Sequence, residues 1–206
     1  MTTEHPMQLG MVGLGRMGAN LVRRLMRDGH HCVVYDVNKA AVDDLVAEGA
    51  TGATDLDEFV DKLQPPRTAW LMLPAAITGR TLDHLASMLE PDDTVIDGGN
   101  SYYRDDIARA KQLVPHKIHY IDCGTSGGVW GLERGYCLMI GGEDAPVQRL
   151  DPIFMTIAPG ESCEEPTPGR TRHGTAEHGY HVDTVSGLIC DTGAVGRPAR
   201  PAAIPG

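Results

Sequence analysis

Gly13, Gly15 and Gly18 stand at G-x-G-x-x-G spacing within Gly13-Leu14-Gly15-Arg16-Met17-Gly18, and an acid, Asp36, follows about 20 residues on. These residue types in this order suit a dinucleotide. Gly13 permits a tight turn, Gly15 has no side chain to block a pyrophosphate, and Gly18 lets a helix pack close to a sheet. The unpaired N–H groups and positive dipole end of that helix then face the phosphates. Asp36 stands where a carboxylate can accept both hydroxyls of an adenosine ribose. Its charge repels a ribose 2′-phosphate, so the expected cofactor is NAD before NADP. The alternative is a glycine turn with no ligand. The strand before it, the helix after it and the acid at the right distance weigh against that.

Two later loops carry polar chemistry. Asp97-Gly98-Gly99-Asn100-Ser101 sets two residues without side chains beside an amide and a hydroxyl. Such a loop can approach a ligand closely and offer N–H groups and an oriented amide. Ser126-Gly127-Gly128 repeats the idea, with a hydroxyl and backbone donors suited to a carboxylate or hydroxyl. Either loop alone could be a plain turn between strand and helix. Two of them at strand ends, beside a dinucleotide motif, point to a substrate site.

The elements that must hold these loops are legible as periodicity. Leu9 to Leu14 is an apolar run short enough for a buried strand, and Leu21, Val22, Leu25 and Met26 share a helical face that Gly29 ends. Cys32 to Tyr35 is a second strand. Helices are expected from Asn38, a plausible N-cap, to Glu48, and from Asp55 to Leu63, where Leu56, Phe59, Val60 and Leu63 share a face. Thr68 to Leu73 is a strand stopped by Pro74. A helix over Ile77–Leu89, a strand over Thr94–Asp97, a helix over Asp105–Val114 and strands over His119–Asp122 and Tyr136–Ile140 follow. Asp144 to Ile157 could hold a last helix, interrupted near Pro146 and Pro152. This alternation predicts an α/β, Rossmann-type doubly wound, mostly parallel sheet over residues 1–160. Ligands of such sheets sit beyond the carboxyl ends of the strands, where the glycine turn, Asp36, Pro74 and its loop, and Asp97–Ser101 all fall.

Composition narrows the partners. The chain has 206 residues and a formal net charge of -10, which argues against nucleic acid and anionic membranes as partners. The five cysteines (Cys32, Cys123, Cys137, Cys163 and Cys190) are scattered without a C-x-x-C pair, so no metal or redox site is expected from them. The first residues lack a basic region followed by an apolar one, and no run approaches the roughly 20 apolar residues that span a bilayer. A soluble, cytoplasmic protein is the expectation.

The stretches MQLGMVGLGRMGANLVRRL, DGGNSYYRDD and IDCGTSGGVWGLERGYCLMIGG resemble the 6-phosphogluconate dehydrogenases, within the wider β-hydroxyacid dehydrogenase group. Asp36-Val37-Asn38 is similar to the shorter, NAD-preferring bacterial branch; the NADP-using branch typically has Asn-Arg-Thr there. Relatives acting on small 3-hydroxy acids usually carry Ser-Thr where this chain has Gly99-Asn100. The resemblance covers residues 7–159. It implies a decarboxylating oxidation without metal. The 3-hydroxyl of 6-phosphogluconate loses its proton, a hydride goes to nicotinamide, the 3-keto acid loses carbon dioxide, and an enediol tautomerises to ribulose 5-phosphate. It also implies that Asn100 bridges nicotinamide and substrate, that Ser126, Gly127 and Gly128 hold substrate, and that Leu73 and Pro74 flank the cofactor. A sugar-acid phosphate is thus the implied substrate, and a homo-oligomer the family's usual state.

The chain departs from that pattern after residue 159. The family's general base is a lysine in a glycine-rich run ending Lys-x-x-His-Asn, but no lysine follows Lys117 here and no asparagine follows Asn100. The large helical domain that follows in the family has no counterpart either. Residues 161–206 read as an irregular, disordered tail, rich in proline and glycine, with the expectation of a shifted reading frame or a truncated product. His173, His178 and His181 with Cys163 or Cys190 match no standard zinc spacing. Three readings stay open: a 6-phosphogluconate dehydrogenase, a module that holds NAD without turnover, and an inactive remnant. The missing lysine favours the second or third, and the intact nucleotide residues favour the second over the third.

Overall fold

In the computed structural model, which describes residues 6–159 and the backbone of 181–183, apolar runs become strands and amphipathic stretches become helices. The chain alternates through β1 (Gln8–Val12), α1 (Arg16–Arg27), β2 (His31–Tyr35), α2 (Lys39–Ala47), β3 (Thr51–Gly52) and α3 (Leu56–Asp61). It continues through β4 (Thr68–Leu71), α4 (Ala75–Ala86), β5 (Thr94–Asp97), α5 (Tyr103–Leu113) and a 3-10 turn at Val114–His116. Then come β6 (His119–Ser126), α6 (Gly131–Arg134), β7 (Cys137–Gly141), α7 (Asp144–Arg149), α8 (Asp151–Ile157) and β8 (His181–Asp183).

The strands pair in the order β3-β2-β1-β4-β5-β6-β7-β8. Every pairing is parallel except β6 with β7. The expected doubly wound sheet is therefore present. The chain winds outward from β1 to β3, then returns to place β4 on the other side of β1. That reversal makes the gap between the ends of β1 and β4 the switch point of the sheet.

Both faces are covered, so the central strands are apolar throughout rather than alternating. Met11, Val34, Trp70, Ile96 and Ile121 pack on one face with Leu21, Val22 and Leu25 of α1 and Ile153, Phe154 and Ile157 of α8. Val12, Val33, Leu71, Val95 and Tyr120 pack on the other with Phe59 and Val60 of α3, Leu82 and Leu85 of α4 and Leu113 of α5. Asn38 caps α2 as expected, its side-chain oxygen accepting from the Ala40 N–H at 3.2 Å. Asp55 caps α3 in the same way through Glu58 N–H, at 2.8 Å.

The differences from the sequence reading have physical causes. β6 runs four residues beyond Asp122, because Cys123 to Ser126 find an antiparallel partner in β7. The last helical stretch is two helices, α7 and α8, meeting at Leu150. Pro146 lies in the first turn of α7 and Pro152 in the first turn of α8, where their missing N–H groups cost nothing. The short β3 and α6 have too few residues to show a period, and neither was expected. β8 was not expected either: it lies within the span read as an irregular tail, pairing with Met139 to Gly141. The rest of that span lies outside the described residues, as do the side chains of the His and Cys set considered for zinc. Among the described residues, no helix is long and apolar enough to cross a membrane, and no group of three or more His, Cys, Asp or Glu is placed to hold a metal.

Candidate functional site

The parallel registers line up the strand ends. Tyr35, Val12, Leu71, Asp97 and Asp122 stand side by side across β2, β1, β4, β5 and β6. Asp36, Gly13, Met72 and Gly98 therefore leave the sheet along one edge. Backbone bonds hold this edge together: Gly13 N–H donates to Tyr35 O at 2.9 Å, Met72 N–H to Val12 O at 2.8 Å, and Gly98 N–H to Leu71 O at 2.9 Å.

The glycines of the first turn divide by role. Gly13 has φ +95°, and a Cβ there would lie 2.5 Å from Met72 O. A Cβ at Gly18 would overlap the Gly13 carbonyl oxygen, so α1 packs against its own turn only without one. Around Gly15, by contrast, a Cβ would meet nothing within 4 Å. Gly15 is the N-cap of α1, has no side-chain cap, and no acid lies in the first turn. The free N–H groups at this helix start are thus left for an outside acceptor. Gly15 and Arg16 are exposed and Met17 is half-buried, while Leu14 is buried beneath them.

Asp36 sits at the mouth of the turn. Its Oδ2 accepts from Leu14 N–H at 2.6 Å and its Oδ1 from Asn38 N–H at 2.7 Å. Both bonds are charge-assisted and fix the carboxylate against the glycine turn. Each oxygen keeps lone-pair capacity for a further donor. On the other side of β1, Leu73 is half-buried against Gly13, and the exposed Pro74 is the N-cap of α4.

The two later loops depend on their glycines for a reason the sequence reading did not give. A Cβ at Gly98 would run into the Trp70 indole, and one at Gly99 would lie 2.6 Å from Leu73 O. These two glycines let β5 end tightly against β4 rather than clear a path for a ligand. Asn100, next along, is exposed. At the third loop, a Cβ on Gly127 would lie 2.6 Å from the Tyr136 ring, whereas Gly128, with φ +48°, is open. Because β6 runs past the common edge, Ser126 stands up to about 13 Å beyond it, at ~3.3 Å per residue. The structure thus brings Gly15, Asp36, Leu73, Pro74 and Asn100 to one edge. It sets Ser126, Gly127 and Gly128 further out beside it.

Sequence reasoning missed a buried polar network beneath Asn100. Asp97, Asp106, Arg109 and Tyr120 are each at most 9% exposed. Asp97 Oδ2 accepts from Arg109 Nη1 at 3.1 Å, Tyr120 O–H at 3.0 Å and Ser101 Oγ at 2.9 Å, while Oδ1 accepts from Gly99 N–H at 3.0 Å. Asp106 Oδ1 also accepts from Arg109 at 3.0 Å, and it lies 3.0 Å from the Tyr120 hydroxyl, whose single proton it shares with Asp97. Burial pushes the Asp106 carboxyl above its ordinary range, against the lowering by Tyr120, and the Asp97 charge pushes it the same way. Burial, with both carboxylates adding to it, pushes the Tyr120 phenol far above its ordinary value. The available signals were an acid closing the apolar strand Thr94–Asp97, and the i, i+3 spacing of Asp106 and Arg109 on a helix.

Comparison with known proteins places these features in a family. Residues 8–165 match the model described as the NAD binding domain of 6-phosphogluconate dehydrogenase. A relative from Haloferax volcanii, named 6-phosphogluconate dehydrogenase, NAD(+)-dependent, decarboxylating, is 38% identical over 180 residues, covering 87% of this chain and 57% of its own. An NADP(+)-dependent, decarboxylating 6-phosphogluconate dehydrogenase from Bacillus subtilis (strain 168) is 35% identical over 164 residues, covering 76% of this chain and 35% of its own. Among solved structures, the 6-phosphogluconate dehydrogenase of Plasmodium falciparum superposes with a TM-score of 0.71 at 23% identity, over 76% of this chain and 35% of that one. At that identity the likeness is one of fold. The chain spans a third to somewhat over half of the length of these relatives.

Proposed function

The chain belongs to the family of the NAD-binding domain of 6-phosphogluconate dehydrogenase, and from that premise we propose that it holds NAD, in preference to NADP, for the oxidative decarboxylation of 6-phosphogluconate to ribulose 5-phosphate. The observation that carries the reading is the Asp36 carboxylate, held 2.6 Å from the Leu14 N–H beside the open start of α1. The start of α1 suits a pyrophosphate, and a fixed carboxylate suits a ribose with two free hydroxyls. A 2′-phosphate there would set two like charges within a few ångströms, which costs on the order of 4 kcal/mol at an effective dielectric constant near 20.

The residues divide the work. Gly15, Arg16 and Met17 present N–H groups to the pyrophosphate, with Gly13, Leu14 and Gly18 shaping the turn. Leu73 and Pro74 wall the cofactor on the β4 side. Asn100 offers one amide to both nicotinamide and substrate, and Ser126, Gly127 and Gly128 offer a hydroxyl and N–H groups to the sugar acid. NAD, when bound, supplies the hydride acceptor. The proton of the 3-hydroxyl needs a base of suitable pKa. The family's lysine has no counterpart after Lys117, so this chain is proposed to bind without turning over by itself.

The reading is tested by adding 6-phosphogluconate to the NAD-saturated chain and following nicotinamide fluorescence. Saturable NAD binding without reduced cofactor is expected. Reduced cofactor would show that another group of this chain acts as the base. Absence of NAD binding would overturn the reading.

A further inference from the structure

Between the cofactor edge and the proposed substrate loop, Asn100 is the exposed side chain of a segment clamped on both sides. Gly99 N–H is held by Asp97 Oδ1, and Ser101 Oγ by Asp97 Oδ2. Arg109 Nη1 reaches Ser101 Oγ at 3.0 Å as well as Asp97 and Asp106. A guanidinium nitrogen with two N–H groups thus serves three acceptors drawn from a strand end, a loop and its own helix. Two carboxylates would otherwise face each other across a buried space, where like charges are costly; the guanidinium offsets that, and the Tyr120 hydroxyl bridges the same pair. Three of its bonds, Gly99 N–H to Asp97, Ser101 Oγ to Asp97 and Arg109 Nη1 to Ser101 Oγ, hold the two residues flanking Asn100, and the others hold Asp97 and Arg109 in place.

We infer that Arg109 is a positioning residue. By tying Asp97 and Ser101 to α5 it fixes the loop so that the Asn100 amide meets the nicotinamide end of the cofactor, while the adenosine end depends on Asp36 and the start of α1. This rests on the reading of Asn100 as the nicotinamide contact. The network is a rigid support for one half of a two-ended ligand, and losing it loosens that half alone. Orientation of this kind is sensitive to displacements of about 1 Å.

The two ends can be read separately with NADH and with ADP-ribose, which lacks nicotinamide. The full chain and its Arg109→Gln, Arg109→Lys and Ser101→Ala variants are titrated with NADH. Nicotinamide emission per bound molecule and the competition by ADP-ribose are both recorded. In Arg109→Gln the enhancement of nicotinamide emission is expected to fall by half or more, with ADP-ribose affinity unchanged; Arg109→Lys should recover part of it. Ser101→Ala removes one hydroxyl and keeps the buried charges, so it carries the test if Arg109→Gln does not fold, with the same selective loss expected. Full enhancement in folded Arg109→Gln and Ser101→Ala overturns the inference. So does a parallel loss of ADP-ribose affinity, which marks a general structural role. A wild-type chain that binds NADH without enhancing its emission also overturns it, leaving the nucleotide site standing. A wild-type chain that binds neither ligand overturns the underlying reading as well.

Discussion

At the scale of single residues, the glycines of the turn separate binding from folding. Gly15 has open space where a Cβ would go and a backbone that any residue adopts, at φ −61° and ψ −177°. Gly18 has no such space. Gly15→Ala should therefore keep its melting temperature and lose NAD affinity by roughly tenfold or more, equivalent to about 1.4 kcal/mol. Gly18→Ala should lower stability by ~2 kcal/mol or more, since the overlap is with backbone and cannot be relieved by a rotamer. Thermal melts with and without NAD distinguish the two. Equal melts with equal affinities would contradict this division. The motif spacing already set Gly15 apart for the ligand and Gly13 and Gly18 for the turn and the packing, but not what a Cβ at the last two would strike. That depends on Met72 and on the turn's own carbonyl, which no local pattern reveals. The same holds for Gly98 and Gly99, whose neighbours Trp70 and Leu73 come from β4 and the turn that follows it.

At the scale of elements, α1 is tied to the end of α8. Arg24 Nε donates to Thr156 O at 2.7 Å and to Ile157 O at 3.1 Å, and its Nη2 donates to Ala158 O at 3.0 Å. These carbonyls belong to the last turn of α8, where intrahelical donors run out and the dipole favours a cation. Arg24→Met should cost about 2–3 kcal/mol, because the buried carbonyls lose charged donors. Chemical denaturation measures this; a change below ~0.5 kcal/mol would contradict it. A second tie involves His30, which is buried. Its Nδ1 accepts from Met7 N–H at 3.0 Å, which leaves Nε2–H to donate to Thr156 Oγ1 at 3.1 Å; Thr156 Oγ1 in turn donates to Asp28 Oδ2 at 2.7 Å. Burial pushes this imidazole below its ordinary 6.5, against the pull of Asp28 upward. The unfolded chain therefore binds the proton first. The contribution of His30 is complete above 6.5 and is lost as pH falls from there through the lower folded value. Melting temperature should drop on acidification below that point, and His30→Gln should flatten the drop; an unchanged slope would contradict it. Such ties join residues over 120 positions apart, so a reading of local periodicity could place α1 and the end of the last helix without seeing that they clasp.

At the scale of the whole molecule, β5 and its neighbours were legible because a buried parallel strand is a short apolar run between turns. Thr94–Asp97 was read with the bounds it has. β6 was not, since its last four residues look like a loop until β7 supplies antiparallel partners. That the glycine turn, Asp36, Pro74 and Asp97–Ser101 fall at the carboxyl ends of the strands was legible in the sequence. The Asp97–Asp106–Arg109–Tyr120 network was not, because its members come from two strands and a helix and meet only through the register of β5 with β6. We propose that the edge acts as one unit, in which glycine turn, open helix start and fixed acid together select a dinucleotide with a free ribose. The most direct measurement is a calorimetric titration of the chain with NAD and then NADP. Saturable, one-to-one NAD binding is predicted, with NADP weaker by at least ~10-fold and the difference abolished in Asp36→Asn. Equal affinity for the two dinucleotides, or no heat with either, would contradict it.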